Sequence, residues 1–372
     1  MKVLHVLSDR NIGGAGVLLC NLLQSFDAER IQSTVLLPRD SLLKPRISEL
    51  GIEVGELERD CDGFSMASVR EIRRWIRQTG AELLHANAAL SARIAARQQG
   101  IPVVHTRHCC YPPSGIWRFS TVRWMGGFFN RRLSDRVIAT AQAAALDLGT
   151  MGIPSDKIRV IINGSLEARA VEAWELAAAR VRFGIKPEDF VIGICARLEE
   201  CKGHRTFFEA AKQVMERLPW VPFRFLVVGA GSQREKLEEY CQSLGIAPFV
   251  RFTGFVEDMA VIYRLLRINV NCSTGTETSC LALSEGMSAG VPMIASDYGG
   301  NTDMIGDGRA GFLFPAGDAC GLANAIVRIA EDINLENAMR RGAKERFEAH
   351  YTAKEMSQQV THLYEEVLSL KT

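Results

Sequence analysis

The chain has 372 residues, enough for about two domains. Hydrophobic residues are 47% and charged residues 23%, which excludes disorder, collagen and coiled coil for the chain as a whole. Net charge is +1, with 21 Lys and Arg against 16 Asp and Glu in residues 1–167 and an acidic remainder, which excludes a nucleic-acid binder and points to an anionic surface or substrate near the first half.

Val3–Leu7 is an apolar run of strand length. Gly13-Gly14-Ala15-Gly16 follows, then helical periodicity from Val17 to Gln24. Strands are expected at Val35–Leu37, Leu83–His85, Val103–Thr106 and Val137–Ala139. Helices are expected between them at Leu42–Leu50, Ser68–Gln78 and Ala89–Gln99. Such alternation predicts βαβ units and a parallel sheet. The pattern restarts after about residue 165, and Asn163-Gly164 gives a turn signal for the linker. Val191–Ala196, Phe223–Val228, Val250–Phe252, Ile268–Cys272 and Pro292–Ser296 read as strands, and His204–Arg217, Gln233–Leu244 and Leu283–Ala289 as helices. The tail Cys320–Leu370 reads as two or three helices, and both sheets are complete without the last of them.

The ten cysteines are scattered, with Cys109-Cys110 the only close pair and no C-x-x-C. That argues against a zinc ribbon or a thioredoxin motif and for reduced thiols. The apolar run at the N-terminus is too short for a signal peptide, and the uncharged stretch 286–296 is far short of a spanning helix. A cytoplasmic chain is expected, or one lying on the inner face of a membrane without crossing it.

Open parallel sheets bind ligands beyond the carboxyl ends of their strands. Two such domains facing each other make a cleft, and four motifs fall at strand ends. Gly13-Gly14-Ala15-Gly16 can bring backbone close to a phosphate at a helix start, or can simply make a tight turn. Gly229-Ala230-Gly231 is a poorer version, with Arg234 where a third Gly would stand, and reads more naturally as a turn. Arg197 and Lys202 could clamp a diphosphate and carry the charge of a leaving group, or form a solvated patch with Glu199 and Glu200. Glu277 and Glu285 flank a loop and helix start whose N–H groups suit a phosphate; acids there also suit the helix dipole alone.

Together and in order, these segments resemble the retaining nucleotide-sugar glycosyltransferases of glycosyltransferase family 4. The resemblance covers nearly the whole chain and is strongest over residues 191–318, through ARLEECKG, FRFLVVGAGSQREKL, VRFTGFV and ETSCLALSEGMSAGVPMIASDYGGNTDMIGDGRAGFLFPAGD. It implies the GT-B fold: α/β, with two Rossmann-like domains facing across a cleft. Residues 1–167 would be the acceptor-side domain, 168–352 the nucleotide-sugar domain, and 353–372 a helix crossing back to pack on the first. The resemblance also implies roles. Glu285 would bind the ribose of the donor and Glu277 the transferred sugar. Arg197 and Lys202 would bind the diphosphate, completed by backbone at Cys280, Leu281 and Ala282, with Gly254 on the nucleobase side. Gly13 and Gly14 would be the phosphate contact of the first domain. His108 would face the donor sugar, although His105 stands only three residues away.

The chain departs from the family's pattern in two places. Glu277-Thr278-Ser279-Cys280 replaces a common Glu-Gly-Phe-Gly, which bears on donor-sugar identity, and Asn87 stands where a second His is common. The implied reaction moves a sugar from a nucleoside diphosphate to an acceptor hydroxyl with retention at the anomeric carbon. The β-phosphate would take the acceptor's proton, so neither a protein nucleophile, a metal nor a cofactor beyond the donor substrate is expected. Asp60-Cys61-Asp62 reads as coincidence.

On the acceptor side, Trp117, Trp124 and Phe128 share helical spacing with Arg118, Arg123, Arg131, Arg132 and Arg136 around them. Such a helix either lies in an anionic membrane interface or packs its aromatics inward with a solvated arginine rim. The expected acceptor is a saccharide or lipid-linked molecule of polysaccharide, lipopolysaccharide or glycolipid synthesis. Nucleotide-sugar epimerases share the architecture and are a rival, as is a sugar-nucleotide-binding scaffold without turnover. An NAD dehydrogenase is disfavoured because neither glycine loop completes G-x-G-x-x-G.

Overall fold

The computed structural model describes residues 1–59, 61, 63–108, 120–275 and 277–370. Two compact units emerge: Met1–Gly164 with Ala353–Thr372, and Ser165–Thr352.

The first unit is built on seven strands: β1 (Lys2–Leu7), β2 (Gln32–Pro38), β3 (Glu53–Leu57), β4 (Leu83–Asn87), β5 (Val103–Arg107), β6 (Arg136–Ala139) and β7 (Ile158–Val160). They are parallel, in the order β3-β2-β1-β4-β5-β6-β7. Central strands such as β1 are buried on both faces, hence the continuous apolar run. Helices cover both faces. One core gathers Leu4, Leu36, Val69, Ile72 and Leu84; the other gathers Leu7, Leu19, Leu23, Leu37 and Ile47.

The last helix, Ala353–Ser369, completes this unit. It buries Met356, Val360, Leu363, Tyr364 and Val367, a helical stripe in which each large side chain contributes about 1.5–3 kcal/mol. Polar contacts fix its register. The Tyr364 hydroxyl lies 2.6 Å from Nδ1 of buried His85, Ser357 donates to the Ser25 carbonyl at 3.0 Å, and Glu366 accepts from Arg136 and Arg159.

The second unit has six strands: β8 (Phe190–Cys195), β9 (Phe223–Val228), β10 (Val250–Gly254), β11 (Ile268–Asn271), β12 (Met293–Ser296) and β13 (Gly311–Phe314). They too are parallel, in the order β10-β9-β8-β11-β12-β13. One core runs from Phe190 and Ile192 through Phe207, Phe208 and Phe225 to Leu322 and Ile326.

The division falls after Gly164, three residues before the expected boundary at 167. Hydrogen bonds give the reason. Ser165 N–H donates to the Tyr351 carbonyl at 2.9 Å, its hydroxyl meets that of Ser284 at 2.5 Å, and Ala168 N–H donates to Ser288 at 2.7 Å. Residues 165–168 are therefore stitched into the second unit. Three strands escape the sequence patterns, β3, β7 and β13, and all three are sheet edges. Among the described residues, no helix is long and apolar enough to cross a membrane.

Candidate active site

The strand order of the second unit reverses between β8 and β11, so the loops leaving these neighbours diverge and open a crevice. The loop after β8 ends in a short turn, Glu200–Lys202, closed by Gly203 at φ 68°. A Cβ on Gly203 would stand 2.1 Å from the Cys272 carbonyl oxygen, so only glycine lets this turn press on the exit of β11. Thr274 N–H ties the two loops together by donating to the Cys201 carbonyl at 2.8 Å. The result delivers Lys202 to Glu277: Nζ lies 2.8 Å from the carboxylate, with the two side chains 15% and 9% exposed.

Glu277 also accepts from the Ser273 hydroxyl at 2.7 Å and from Asn271 at 3.5 Å. Asn271 in turn accepts from buried Asn301 at 3.2 Å. Burial works against both charges. For Lys202 the nearby Glu277 carboxylate outweighs it and holds the ammonium above the ordinary lysine value. For Glu277 the charge and hydrogen bond of Lys202, with Ser273 and Asn271, outweigh it and hold the carboxyl below its usual range. Both groups thus stay ionised, and an ammonium has three N–H donors, so Lys202 can serve an anion besides Glu277.

Asn271 also donates to Sγ of Cys280, at 3.0 Å, and so joins this pair to the start of the helix Leu281–Ser288. No side chain caps that helix, and the first N–H groups of any helix lack intrahelical partners. Cation and positive helix end together suit a phosphate. Burial, reinforced by the charge of Glu277, pushes the Cys280 thiol up to about 12, which removes it as a nucleophile. Glu285 stands on the same helix and accepts a hydrogen bond from the Tyr263 hydroxyl at 3.0 Å.

Arg197 is not drawn into this cluster by its ion pair. Its side chain is 67% exposed and pairs with Glu199 at 2.7 Å. Gly254, at φ 74°, accepts the N–H of Gly229 at 2.9 Å, and a Cβ on it would meet open space. Gly229 and Gly231 serve packing: a Cβ on either would collide with the carbonyl oxygen of Ala196 at 2.1 Å or of Leu198 at 2.5 Å.

In the first unit the strand order reverses between β1 and β4. Gly13 is the N-cap of the helix Gly14–Ser25, without a side-chain cap. A Cβ on Gly14 would touch nothing within 4 Å, whereas one on Gly16 would strike Leu43 at 2.5 Å. An open pocket of about 420 Å³ lies at these strand ends, lined among others by Asp9, Asn11, Ala15, Asn87, Ala88 and His108. Nε2 of His108 lies 2.8 Å from Oδ1 of Asn87. Burial lowers the His108 pKa to about 4, so the ring is neutral at physiological pH. His105 is instead buried in the sheet, at 6% exposure, which separates the two candidate histidines. Ala88 holds φ 67°, an uncommon conformation for a residue with a Cβ, beside this pocket.

The sequence reading missed Tyr263, Asn271, Ser273 and Asn301. A signal existed for two of them: INVNCS ends an apolar strand in polar residues that then prove buried. Asp60 and Asp62 lie outside the described residues, as do Cys109, Cys110, Trp117 and Arg118, and also the side chains of Arg123 and Trp124. In the helix Ser120–Leu133, Arg131 and Arg132 stack over Phe128 at 5.2 and 5.0 Å, whereas Arg136 lies beyond the helix, on β6, and is held by Glu366. Among the described residues no group of three or more His, Cys, Asp or Glu is placed to hold a metal ion.

A family model described as Glycosyltransferase Family 4 matches residues 12–165, and one described as Glycosyl transferases group 1 matches 189–332. The chain belongs to the family 4 glycosyltransferases. This glycosyltransferase is 28% identical over 310 residues to phosphatidyl-myo-inositol mannosyltransferase of Mycolicibacterium smegmatis, covering 82% of this chain and 76% of that one. It is 26% identical over 370 residues to D-inositol 3-phosphate glycosyltransferase of Streptomyces scabiei, covering 90% and 82%. In fold it is similar to Anabaena HepE, solved in complex with UDP and glucose, with a TM-score of 0.86 at 22% identity over 98% of this chain and 100% of that one. Its two parallel α/β units are those of the GT-B glycosyltransferases.

Proposed function

We propose that this glycosyltransferase moves a hexose from a nucleoside diphosphate sugar to an acceptor hydroxyl with retention of anomeric configuration. The observation that carries the proposal is the buried Lys202–Glu277 pair, joined through Asn271 to the uncapped start of the helix that bears Glu285. In this reading Lys202 and the N–H groups of Leu281 and Ala282 bind the diphosphate. They stabilise the negative charge that grows on it as the glycosidic bond breaks. Glu277 orients the transferred sugar through its hydroxyls, and Glu285 holds the ribose. Arg197, exposed on the same loop as Lys202, would reach the diphosphate by exchanging Glu199 for it. In the first unit, Gly14 leaves room for a phosphate, and His108, kept neutral, offers a hydrogen bond to a sugar hydroxyl without adding charge.

Neither Glu277 nor Cys280 is a ready nucleophile toward the anomeric carbon: Glu277 is engaged by Lys202 and Ser273, and Cys280 is a neutral thiol. That supports a route in which the leaving phosphate itself takes the acceptor's proton on the face it departs from, which yields retention. Charge stabilisation by Lys202 and helix-end N–H groups makes a metal unnecessary in this reading. The inositol compounds in the names of two relatives support a polyol or lipid-linked acceptor; in this reading the product belongs to cell-surface polysaccharide, lipopolysaccharide or glycolipid synthesis.

The test is a thermal-stabilisation screen with UDP, GDP, ADP and CMP and their sugars, since a ligand of the folded state must raise apparent stability. A shift with one nucleoside diphosphate, lost in Glu285→Ala and Lys202→Ala, is expected. No shift with any of them in a folded sample would overturn the reading in favour of a scaffold, and an epimerised sugar formed without acceptor would overturn it in favour of an epimerase.

A further inference from the structure

We propose that Tyr263 is a positioning residue for the donor's ribose, acting through Glu285; this rests on the assignment of Glu285 to the ribose made above. Tyr263 lies on the helix Met259–Leu265, between β10 and β11 in the chain, and is 2% exposed. Its hydroxyl donates to Oε2 of Glu285 at 3.0 Å. The thiol of Cys195, at the end of β8, also meets this hydroxyl. Phenylalanine would fill the same volume, so packing alone gives no reason for a buried phenol; a buried hydroxyl is tolerated because it has a partner. Burial and the neighbouring Glu285 charge keep the phenol protonated, so it is always the donor in this bond.

Glutamate has three rotatable side-chain bonds, and Glu285 is only half-buried on a helix of eight residues. A carboxylate so placed loses freedom when it binds a pair of ribose hydroxyls. The bond from Tyr263 fixes the carboxylate before the ligand arrives, so less freedom is lost on binding. Tyr263 does not touch the reacting atoms in this scheme. Its effect belongs to donor binding and to ligands that carry ribose hydroxyls.

The experiment uses calorimetry on the full chain with whichever of UDP, GDP and ADP binds best, and with its 2′,3′-dideoxy analogue. The wild type should bind the hydroxylated ligand roughly tenfold more tightly than the analogue. In Tyr263→Phe this ratio should fall toward one through weaker binding of the hydroxylated ligand alone. The donor KM should rise by a similar factor while kcat stays within about twofold. A ratio unchanged in Tyr263→Phe, even with a lowered melting temperature, overturns the proposal and leaves Tyr263 a structural residue. If Tyr263→Phe does not fold, Glu285→Asp draws the carboxylate back from Tyr263 while keeping its charge; the ratio should again fall, and an unchanged ratio overturns the proposal. A wild-type ratio of one, a ratio that survives Glu285→Gln, or no binding by any of the three nucleotides refutes the ribose assignment of Glu285 itself, and the role of Tyr263 with it.

Discussion

Both units carry a glycine-rich turn between a strand and a helix, and they use it in opposite ways. In the second unit Gly229 and Gly231 are glycines because the chain's own backbone at Ala196 and Leu198 occupies the space a Cβ would need. In the first, Gly16 is filled in the same sense by Leu43, but Gly14 faces open space. The polar groups differ as well. The second unit buries a charged pair, Lys202–Glu277, and the first presents a neutral one, Asn87–His108, to an open pocket. The same motif therefore means close packing in one place and open space in another.

Removing charge from the second unit should give the largest effect. Lys202→Ala strands the Glu277 carboxylate in a buried site and should cost about 3–5 kcal/mol in urea unfolding. Replacing both, as Lys202→Met with Glu277→Leu, should recover most of it. His108→Ala breaks only a neutral hydrogen bond and should cost about 0.5–1.5 kcal/mol. Equal costs for Lys202→Ala and His108→Ala would erase the contrast between the two pairs.

The glycines come next. Gly229→Ala places a Cβ against a carbonyl oxygen at a φ of 140°, and should destabilise by about 2–4 kcal/mol. Gly14→Ala should leave stability within about 0.5 kcal/mol while weakening nucleotide-sugar binding. Loss of stability in Gly14→Ala, with binding intact, would make that turn structural too.

The pH responses are smaller but opposite in kind. The Glu277 carboxyl titrates lower in the folded protein than its ordinary 4.5, so its stabilisation is complete above that value and is lost as pH falls through the folded value. The stability difference between wild type and Glu277→Gln should thus be flat at neutral pH and shrink in acid. Lys202, raised above 10.5, mirrors this: its contribution is complete below that pH and is lost as pH rises through the folded value. His108, lowered to about 4, should give kcat/KM no inflection near the ordinary histidine value of 6.5. An inflection there that vanishes in His108→Gln would show the ring to be charged in solution.

These contrasts also explain what the sequence could convey. Central strands such as Val3–Leu7 and Phe223–Val228 are buried on both faces and announce themselves as apolar runs. Glu53–Leu57, Ile158–Val160 and Gly311–Phe314 lie at sheet edges, are short or mixed in polarity, and left no such trace. The boundary near residue 165 was visible as a turn, but not the serine hydrogen bonds that move it to Gly164. Lys202, Glu277 and Glu285 were candidates through the segments that resemble family 4 and not through their spacing alone. Of their partners, Asn271 left a trace in the polar end of INVNCS, but Asn301 and Tyr263 reach the site from separate elements that only the folded sheet brings together. Arg197 looked like the equal of Lys202 in sequence, yet the turn closed by Gly203 buries one and leaves the other exposed.

The central claim is sugar transfer with retention, driven by charge stabilisation at Lys202 and the start of the helix Leu281–Ser288. It is tested most directly by NMR of the product formed from an α-linked nucleoside diphosphate sugar, run beside Lys202→Ala. The account predicts an α-linked product from the wild type and a rate lower by roughly 100-fold or more in the variant. A β-linked product, or a variant that turns over like the wild type, would contradict it.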